Sequence, residues 1–175
     1  MKKKIPSILT VLLVTMLTTS TVAAGSNVKL SGMQFSLRSL VASGFVSGLG
    51  NDNVAVVLYA AGIPDVTCTN NGGNQAARQN PPRVSASGTQ YLVHETYTRN
   101  GRSPFSVETE EPQPGLTAEE LGCPSDAWTA SIDFVYWTDA IISVYDTATN
   151  DLLAQQIFTC VTARNPASVS CIPVP

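Results

Sequence analysis

The chain has little basic charge and a single histidine, and each shortage excludes a class of function. Beyond residue 24 it carries seven basic and thirteen acidic residues, a formal net charge of −6, and Lys29 is the one lysine there. Such a chain offers no basic patch to nucleic acid or to an anionic membrane surface. With one histidine, His94, and no C-x-x-C spacing, it also lacks the clustered ligands of a zinc site.

Long apolar runs are missing too, except near the N-terminus. Lys2 to Lys4 are followed by the mostly apolar segment Ile8 to Leu17 and by the small residues Val22 to Ala24. This order predicts a secretory signal peptide over residues 1–24, cleaved before Gly25. The apolar run falls short of the roughly 20 residues that a spanning helix needs. We therefore expect no membrane span and one secreted domain over residues 25–175.

The four cysteines suit an oxidising compartment. An even number in a secreted chain predicts two disulfides, for which three connectivities are possible. Cys160 and Cys171 are close in sequence and flank a turn signal at Asn165 and Pro166. We pair these two with each other, which leaves Cys68 to pair with Cys123.

The pattern of apolar residues predicts an all-β fold, a single antiparallel β-sandwich of about eight short strands with immunoglobulin-like character. Apolar and polar residues alternate strictly over residues 128–136, which predicts a strand. Asp133, and Trp137 just after this segment, are expected on the outer face. The residues expected on the core face are Trp128, Ala130, Ile132, Phe134 and Tyr136. We predict breaks at Gly62 to Asp65 and at Thr138 to Asp139. After the second break, strands at Ala140 to Asp146 and Leu152 to Val161 complete a meander. The capping-box pattern from Thr117 to Glu120 predicts one short helical turn near residues 117–121.

The amide-rich segment from Asn70 to Arg83 is predicted to be a loop. Its amides could bind a partner, or they could satisfy the backbone of their own loop and hold its shape. Trp137 is a further candidate for partner contact, since it is expected outside the sheet or at its edge. The candidate contact residues are Asn70, Asn71, Asn74, Gln75 and Trp137.

Catalytic machinery is hard to find in this sequence. His94 is expected within a strand, no G-x-S-x-G elbow is present, and paired cysteines cannot supply a thiolate. The remaining possibility is a carboxylate pair or weak calcium binding in the acidic loops, although a solvated acidic rim is the simpler interpretation. The acidic residues concerned are Glu108, Glu110, Glu111, Glu119 and Glu120.

Several short motifs occur in a recognisable order. They are Gly48-Leu-Gly-Asn51, Thr67-Cys-Thr-Asn-x-Gly-Gly-Asn74, Gln79-Asn-Pro81, Cys123-Pro124 and Trp128-Thr-Ala130. The chain thereby resembles, over residues 40–160, a family of small secreted bacterial proteins of unassigned activity. The resemblance implies a β-sandwich-like domain with Cys68 and Cys123 as its shared pair, and it supplies no catalytic residue or ligand. Cys160 and Cys171 are additions to that pattern.

These observations together predict a non-catalytic secreted domain, without a cofactor, that binds an extracellular protein or a cell-wall surface. One alternative is a secreted hydrolase acting on polysaccharide or peptide, for which we would expect a cleft with a strongly perturbed acid or base. The other is a protease or lysozyme inhibitor, which would present the loop from Asn70 to Pro82 as a convex surface.

Overall fold

The computed structural model describes residues 27–37, 39–77, 80–98, 102–112 and 116–175. The predicted signal peptide lies outside these residues. Within them the chain forms one 3-10 turn at His94–Thr96 and nine β-strands. The strands are β1 (Lys29–Leu37), β2 (Leu40–Ser47), β3 (Val54–Thr69), β4 (Gln75–Ala77), β5 (Val84–Leu92), β6 (Arg102–Glu108), β7 (Thr129–Asp146), β8 (Leu152–Arg164) and β9 (Ala167–Pro173).

The strands form two antiparallel sheets that pack against each other. The smaller sheet has the order β1-β2-β6. The larger has the order β4-β3-β7-β8-β9, and β5 pairs with β3 beside β4. The predicted all-β sandwich is confirmed, whereas its immunoglobulin-like character stays a prediction. Among the described residues, no helix has the length and apolarity that crossing a membrane would require.

β3 and β7 run side by side over almost their whole lengths, so both predicted breaks are wrong. Gly62 does not end β3 but admits a close approach, because a Cβ at this position would lie 2.5 Å from the carbonyl oxygen of Tyr136. Pro64 falls between the segments of β3 that pair with β5 and with β4, a position where a residue without an N–H is tolerated.

Two bulges in β7 change which side chains reach the core. At the first bulge, Asp65 pairs with Phe134 and Val66 pairs with Ile132, so Asp133 has no partner in β3. At the second bulge, Thr138 is the extra residue, between Trp137 and Asp139. A bulge reverses the in-and-out order of the residues beyond it.

The reversal corrects two assignments. Trp137 was predicted to face outward, but it is buried in the core at 2% exposure. Phe134 and Tyr136 were predicted to face the core, but both are half-buried on the outer side, where their rings pack edge to face. Asp133 is exposed, as predicted.

The apolar side chains form two separate cores. The main core fills the space between the sheets and includes Leu40, Val56, Leu58, Phe105, Trp137, Ile142 and Phe158. A small second core packs the far ends of β3 and β7 against residues 116–128 and contains Val66, Cys68, Leu121 and Cys123. Both predicted disulfides are present, Cys68–Cys123 in this second core and Cys160–Cys171 between β8 and β9.

The predicted helical turn is also present. Thr117 N–H donates to Glu120 Oε2 at 2.8 Å, and Glu120 N–H donates to Thr117 Oγ1 at 3.2 Å, which is the reciprocal geometry of a capping box. Leu121 N–H closes the turn onto the Thr117 carbonyl oxygen at 3.0 Å.

Candidate functional site

Among the described residues, the four most exposed large aliphatic side chains, those of Ile157, Val161, Ile172 and Val174, lie together on the outer face of the six-stranded sheet. Phe158 and Cys160 of β8 point into the core, so Ile157 and Val161 point outward. Cross-strand pairing extends this surface into neighbouring strands. We call it the outer patch and define it as Tyr59, Ile141, Ile157, Val161, Ile172 and Val174.

The register places these side chains next to one another. Tyr59 pairs with Ile141, and Ile141 pairs with Ile157. Val174 N–H donates to the Ile157 carbonyl oxygen at 2.8 Å, so the C-terminal end lies alongside β8. Ile172 is opposite Thr159, which is two residues from Ile157 in β8 and therefore on the same face of the sheet. The patch is therefore continuous across β3, β7, β8 and β9.

Two apolar side chains of the outer patch are mostly exposed to solvent. Val161 is 73% exposed and Ile172 is 65% exposed, although both are β-branched aliphatic residues. Their outward neighbours Gln155, Thr159 and Ser170 are uncharged. Aliphatic and aromatic side chains with few charges among them are typical of the centre of a protein–protein interface.

The outer patch is bordered by charges that are already paired. Arg83, which precedes β5, forms an ion pair with Asp139, which lies between Ala61 of β3 and Thr159 of β8. Arg164, at the end of β8, forms one with Asp65. Asp139 also accepts a hydrogen bond from the hydroxyl of Thr138 at 2.8 Å. This hydroxyl first, and then Arg83, lower the pKa of the Asp139 carboxyl below its ordinary value.

A cleft of about 480 Å³ lies between the residues around the end of β6 and the part of β7 from Ile132 to Trp137. Both carboxylates and apolar side chains line it. Its lining residues are Ser39, Glu108, Glu111, Pro112, Ile132, Asp133, Phe134, Val135 and Trp137. Two of the five glutamates singled out from the sequence, Glu108 and Glu111, are thus brought together with Asp133.

The other acidic residues serve different purposes. Glu110 is exposed, and its N–H donates to the Ser87 carbonyl oxygen at 2.9 Å. Glu119 and Glu120 lie in the capped turn. Within the described residues no group of three or more His, Cys, Asp or Glu side chains is arranged to hold a metal ion.

His94 is not in a strand, which corrects the prediction. β5 ends at Leu92, and His94 opens the 3-10 turn with an exposed side chain. Its N–H donates to the Asn53 side-chain oxygen at 2.9 Å. The turn is held from the other end by Tyr97, whose hydroxyl donates to the Asp52 carbonyl oxygen at 2.7 Å. Burial, followed by the nearby charge of Asp52, raises the pKa of the Tyr97 hydroxyl.

The amide-rich segment from Asn70 to Arg83 is not a loop throughout, because Gln75–Ala77 form β4, and its residues have different environments. The side-chain oxygen of Asn70 accepts hydrogen bonds from the backbone N–H groups of Gly72 and Asn74, both at 2.9 Å, so this amide holds the turn. Asn71, Asn74 and Gln75 are exposed, and Gln75 begins β4. Their contact with a partner stays a prediction, whereas the burial of Trp137 removes its ring from the outer surface.

Sequence reasoning missed the outer patch, although one signal for it was present. Cys160 forms a disulfide across the hairpin and points inward, so its neighbours in the alternation must point outward. That signal required knowing that β8 continues past Val161 to Arg164 and pairs with β9. Comparison with protein families, curated proteins and solved structures found no match to this chain.

Proposed function

We propose that this protein is a secreted, non-catalytic binding domain that contacts an extracellular protein partner through the outer patch. The observation that carries the proposal is the exposure of Val161 and Ile172 within a continuous aliphatic surface, where the neighbouring Asp139 is already paired with Arg83. Burying such side chains against a partner removes apolar surface from water, at roughly 25 cal/mol per Å² before the costs of association.

The construction of the β8–β9 hairpin supports this proposal. Cys160 and Cys171 are direct cross-strand partners and are covalently joined. The hairpin is thereby fixed in register while its outer face carries Val161, Ile172 and Val174. A surface fixed before binding loses less conformational freedom when it meets its partner.

Two disulfides are compatible with an extracellular location, because they persist in oxidising compartments. Secretion through the signal peptide at residues 1–24 is part of the proposal. The net charge of −6 beyond that segment argues for a protein partner rather than nucleic acid or an anionic membrane.

The cleft favours a second candidate, a hydrolase that uses paired carboxylates. Glu108, Glu111 and Asp133 line one depression, as a glycoside hydrolase would require. All three carboxylates, however, are exposed, and Glu108 Oε1 accepts a hydrogen bond from the Ser39 hydroxyl at 2.7 Å. The general acid of a glycoside hydrolase is typically enclosed by apolar side chains, so this exposure favours the binding domain.

The test uses surface variants of the folded protein in capture experiments with the medium and wall fraction of the secreting cell. Val161→Glu combined with Ile172→Glu places two charges in the outer patch and should abolish capture of the specific partner. Ser36→Glu, on an exposed position of β1, is the matched control and should retain capture. Equal capture by both variants would disprove the role of the patch.

A panel of polysaccharide and peptide substrates separates the two candidates. The binding domain should show no turnover. Turnover that disappears in Glu108→Gln or Glu111→Gln, with the fold intact by circular dichroism, would establish the hydrolase instead.

A further inference from the structure

The outer patch belongs to a larger face of the six-stranded sheet that carries almost no charge. Strand pairing aligns the outward residues in rows that cross β5, β3, β7, β8 and β9 in that order. One complete row consists of Ser87, Tyr59, Ile141, Ile157 and Val174. The next row consists of Ser85, Ala61, Asp139, Thr159 and Ile172.

Two further rows extend this face toward the start of β3. The first consists of Thr89, Val57, Ser143 and Gln155. The second consists of Tyr91, Ala55, Tyr145 and Leu152. Asp139 is the one charged residue in the four rows, and it is already paired with Arg83. A partner that covers this face therefore has no unpaired charge to neutralise.

The face is large enough for a stable dimer. Its five strands lie about 4.8 Å apart, and β8 extends about 30 Å from Leu152 to Val161, which together give roughly 700 Å² on one molecule. Two such faces would bury about 1,400 Å² in total, which is within the range of specific protein–protein interfaces.

The outward apolar side chains of the two sheets are not equally shielded. On the smaller sheet, the Arg102 guanidinium lies 3.8 Å from the centre of the Phe45 ring and covers it. On the six-stranded sheet, Val161 and Ile172 stay mostly exposed, so no side chain of the same molecule covers them in this way. Removing these two residues from water requires a second molecule.

The shape and the charge of the face favour a second copy of this chain as that molecule. Twisted sheets pack face to face with their strands within about 30° of each other, and two copies have the same twist. Beyond residue 24 the chain has a formal net charge of −6, so two copies repel each other through most of their surfaces. The nearly uncharged face is where they approach at the lowest electrostatic cost.

We propose that the outer patch binds a second copy of this chain, so that two molecules pack face to face through their six-stranded sheets about a two-fold axis. This inference rests on the proposed function, because it names the partner of the outer patch. An axis that crosses the strands at Ile172 places this residue against its counterpart in the second copy, and Val161 of each copy against Ile157 of the other. Aliphatic side chains then meet aliphatic side chains.

Sedimentation equilibrium of the secreted protein measures this association. The unaltered protein should form a dimer at micromolar concentration. Ile172→Glu should raise the dissociation constant at least about tenfold, because two carboxylates then meet at the axis, and Ile172→Arg should do the same. An equimolar mixture of the two variants should associate again, because opposite charges then meet. That rescue also shows that both variants are folded.

Two controls separate the outer patch from other surfaces. Ser36→Glu introduces a charge at an exposed position of β1 in the smaller sheet and should dimerise as the unaltered protein does. Added salt should leave the association unchanged or strengthen it, since salt screens the repulsion between two acidic molecules.

Four results would overturn the proposal: a monomer at every concentration up to about 1 mM, equal dimerisation of Ile172→Glu and Ser36→Glu, no association in the mixture of the two Ile172 variants, or dissociation on addition of salt. A monomer whose outer patch still captures another extracellular protein would refute the second copy and leave the proposed function intact. A monomer in which capture is equally unaffected by the patch variants would refute both.

Discussion

Gly62 of β3 lies directly opposite Trp137 of β7, and it is the absence of a side chain at Gly62 that lets the two strands meet there. A Cβ built at Gly62 would lie 2.9 Å from the Trp137 Cα and 2.5 Å from the Tyr136 carbonyl oxygen. Both neighbours are backbone atoms, which cannot move aside as the end of a flexible side chain can. The close approach occurs next to the bulge at Thr138 and helps to bring Trp137 into the core.

We expect Gly62→Ala to lower the free energy of unfolding by about 1–3 kcal/mol, the cost of overpacking a well-filled site. Gly72→Ala is the control, because its new Cβ would meet only side-chain atoms at 3.4 Å or more. Urea denaturation of both variants measures the difference. Equal stability of the two variants would show that the strands separate at Gly62 without cost.

The bulges predict unequal effects from two aromatic residues. Trp137→Ala removes a side chain that is 2% exposed and should cost about 3–5 kcal/mol. Phe134→Ala removes a half-buried ring that contacts Tyr136 and should cost less than half as much. Chemical denaturation measures the free energy of unfolding of the two variants. A larger decrease for Phe134→Ala than for Trp137→Ala would show that the bulge assigned at Asp133 is wrong.

The two disulfides should stabilise to different extents. Chain-entropy estimates give about 4 kcal/mol for Cys68–Cys123, which are 55 residues apart, and about 3 kcal/mol for Cys160–Cys171, which are 11 apart. Replacing each pair by serines and measuring unfolding compares them. Hydrogen exchange should show that loss of Cys160–Cys171 exposes mainly β8 and β9, whereas loss of Cys68–Cys123 exposes the second core. Uniform exchange across both regions in either variant would contradict the division into two cores.

Acid should destabilise the protein partly through Asp146. The backbone N–H groups of Thr149 and Ala148 hold the pKa of this carboxyl below its ordinary value. Because the pKa is lower in the folded state, the stabilisation is present above the unfolded-state pKa of about 4 and is lost as the pH falls through the folded-state value. Asp146→Asn should therefore flatten the decline of stability below about pH 4. Thermal melts between neutral pH and acid test this, with Asp151→Asn as the control, and identical slopes would refute it.

Several features could be predicted from the sequence because they depend on local chemistry. The β-strand alternation, the capping box at Thr117 and Glu120, and the proximity of Cys160 to Cys171 are properties of neighbouring residues. The fold class, the helical turn and the disulfide pairing followed from them and are confirmed. The exposed position of Asp133 was predicted in the same way.

Only the tertiary structure decided which residues of β7 reach the core and which surfaces are free. A bulge inserts one residue into a ladder, and its position depends on the partner strand, so alternation read along one segment cannot reveal it. For that reason Trp137 lies inside and Phe134 outside. The meeting of Glu108 and Glu111 with Asp133, and the outer patch across β3, β7, β8 and β9, likewise arise because pairing brings together residues that are far apart in the chain.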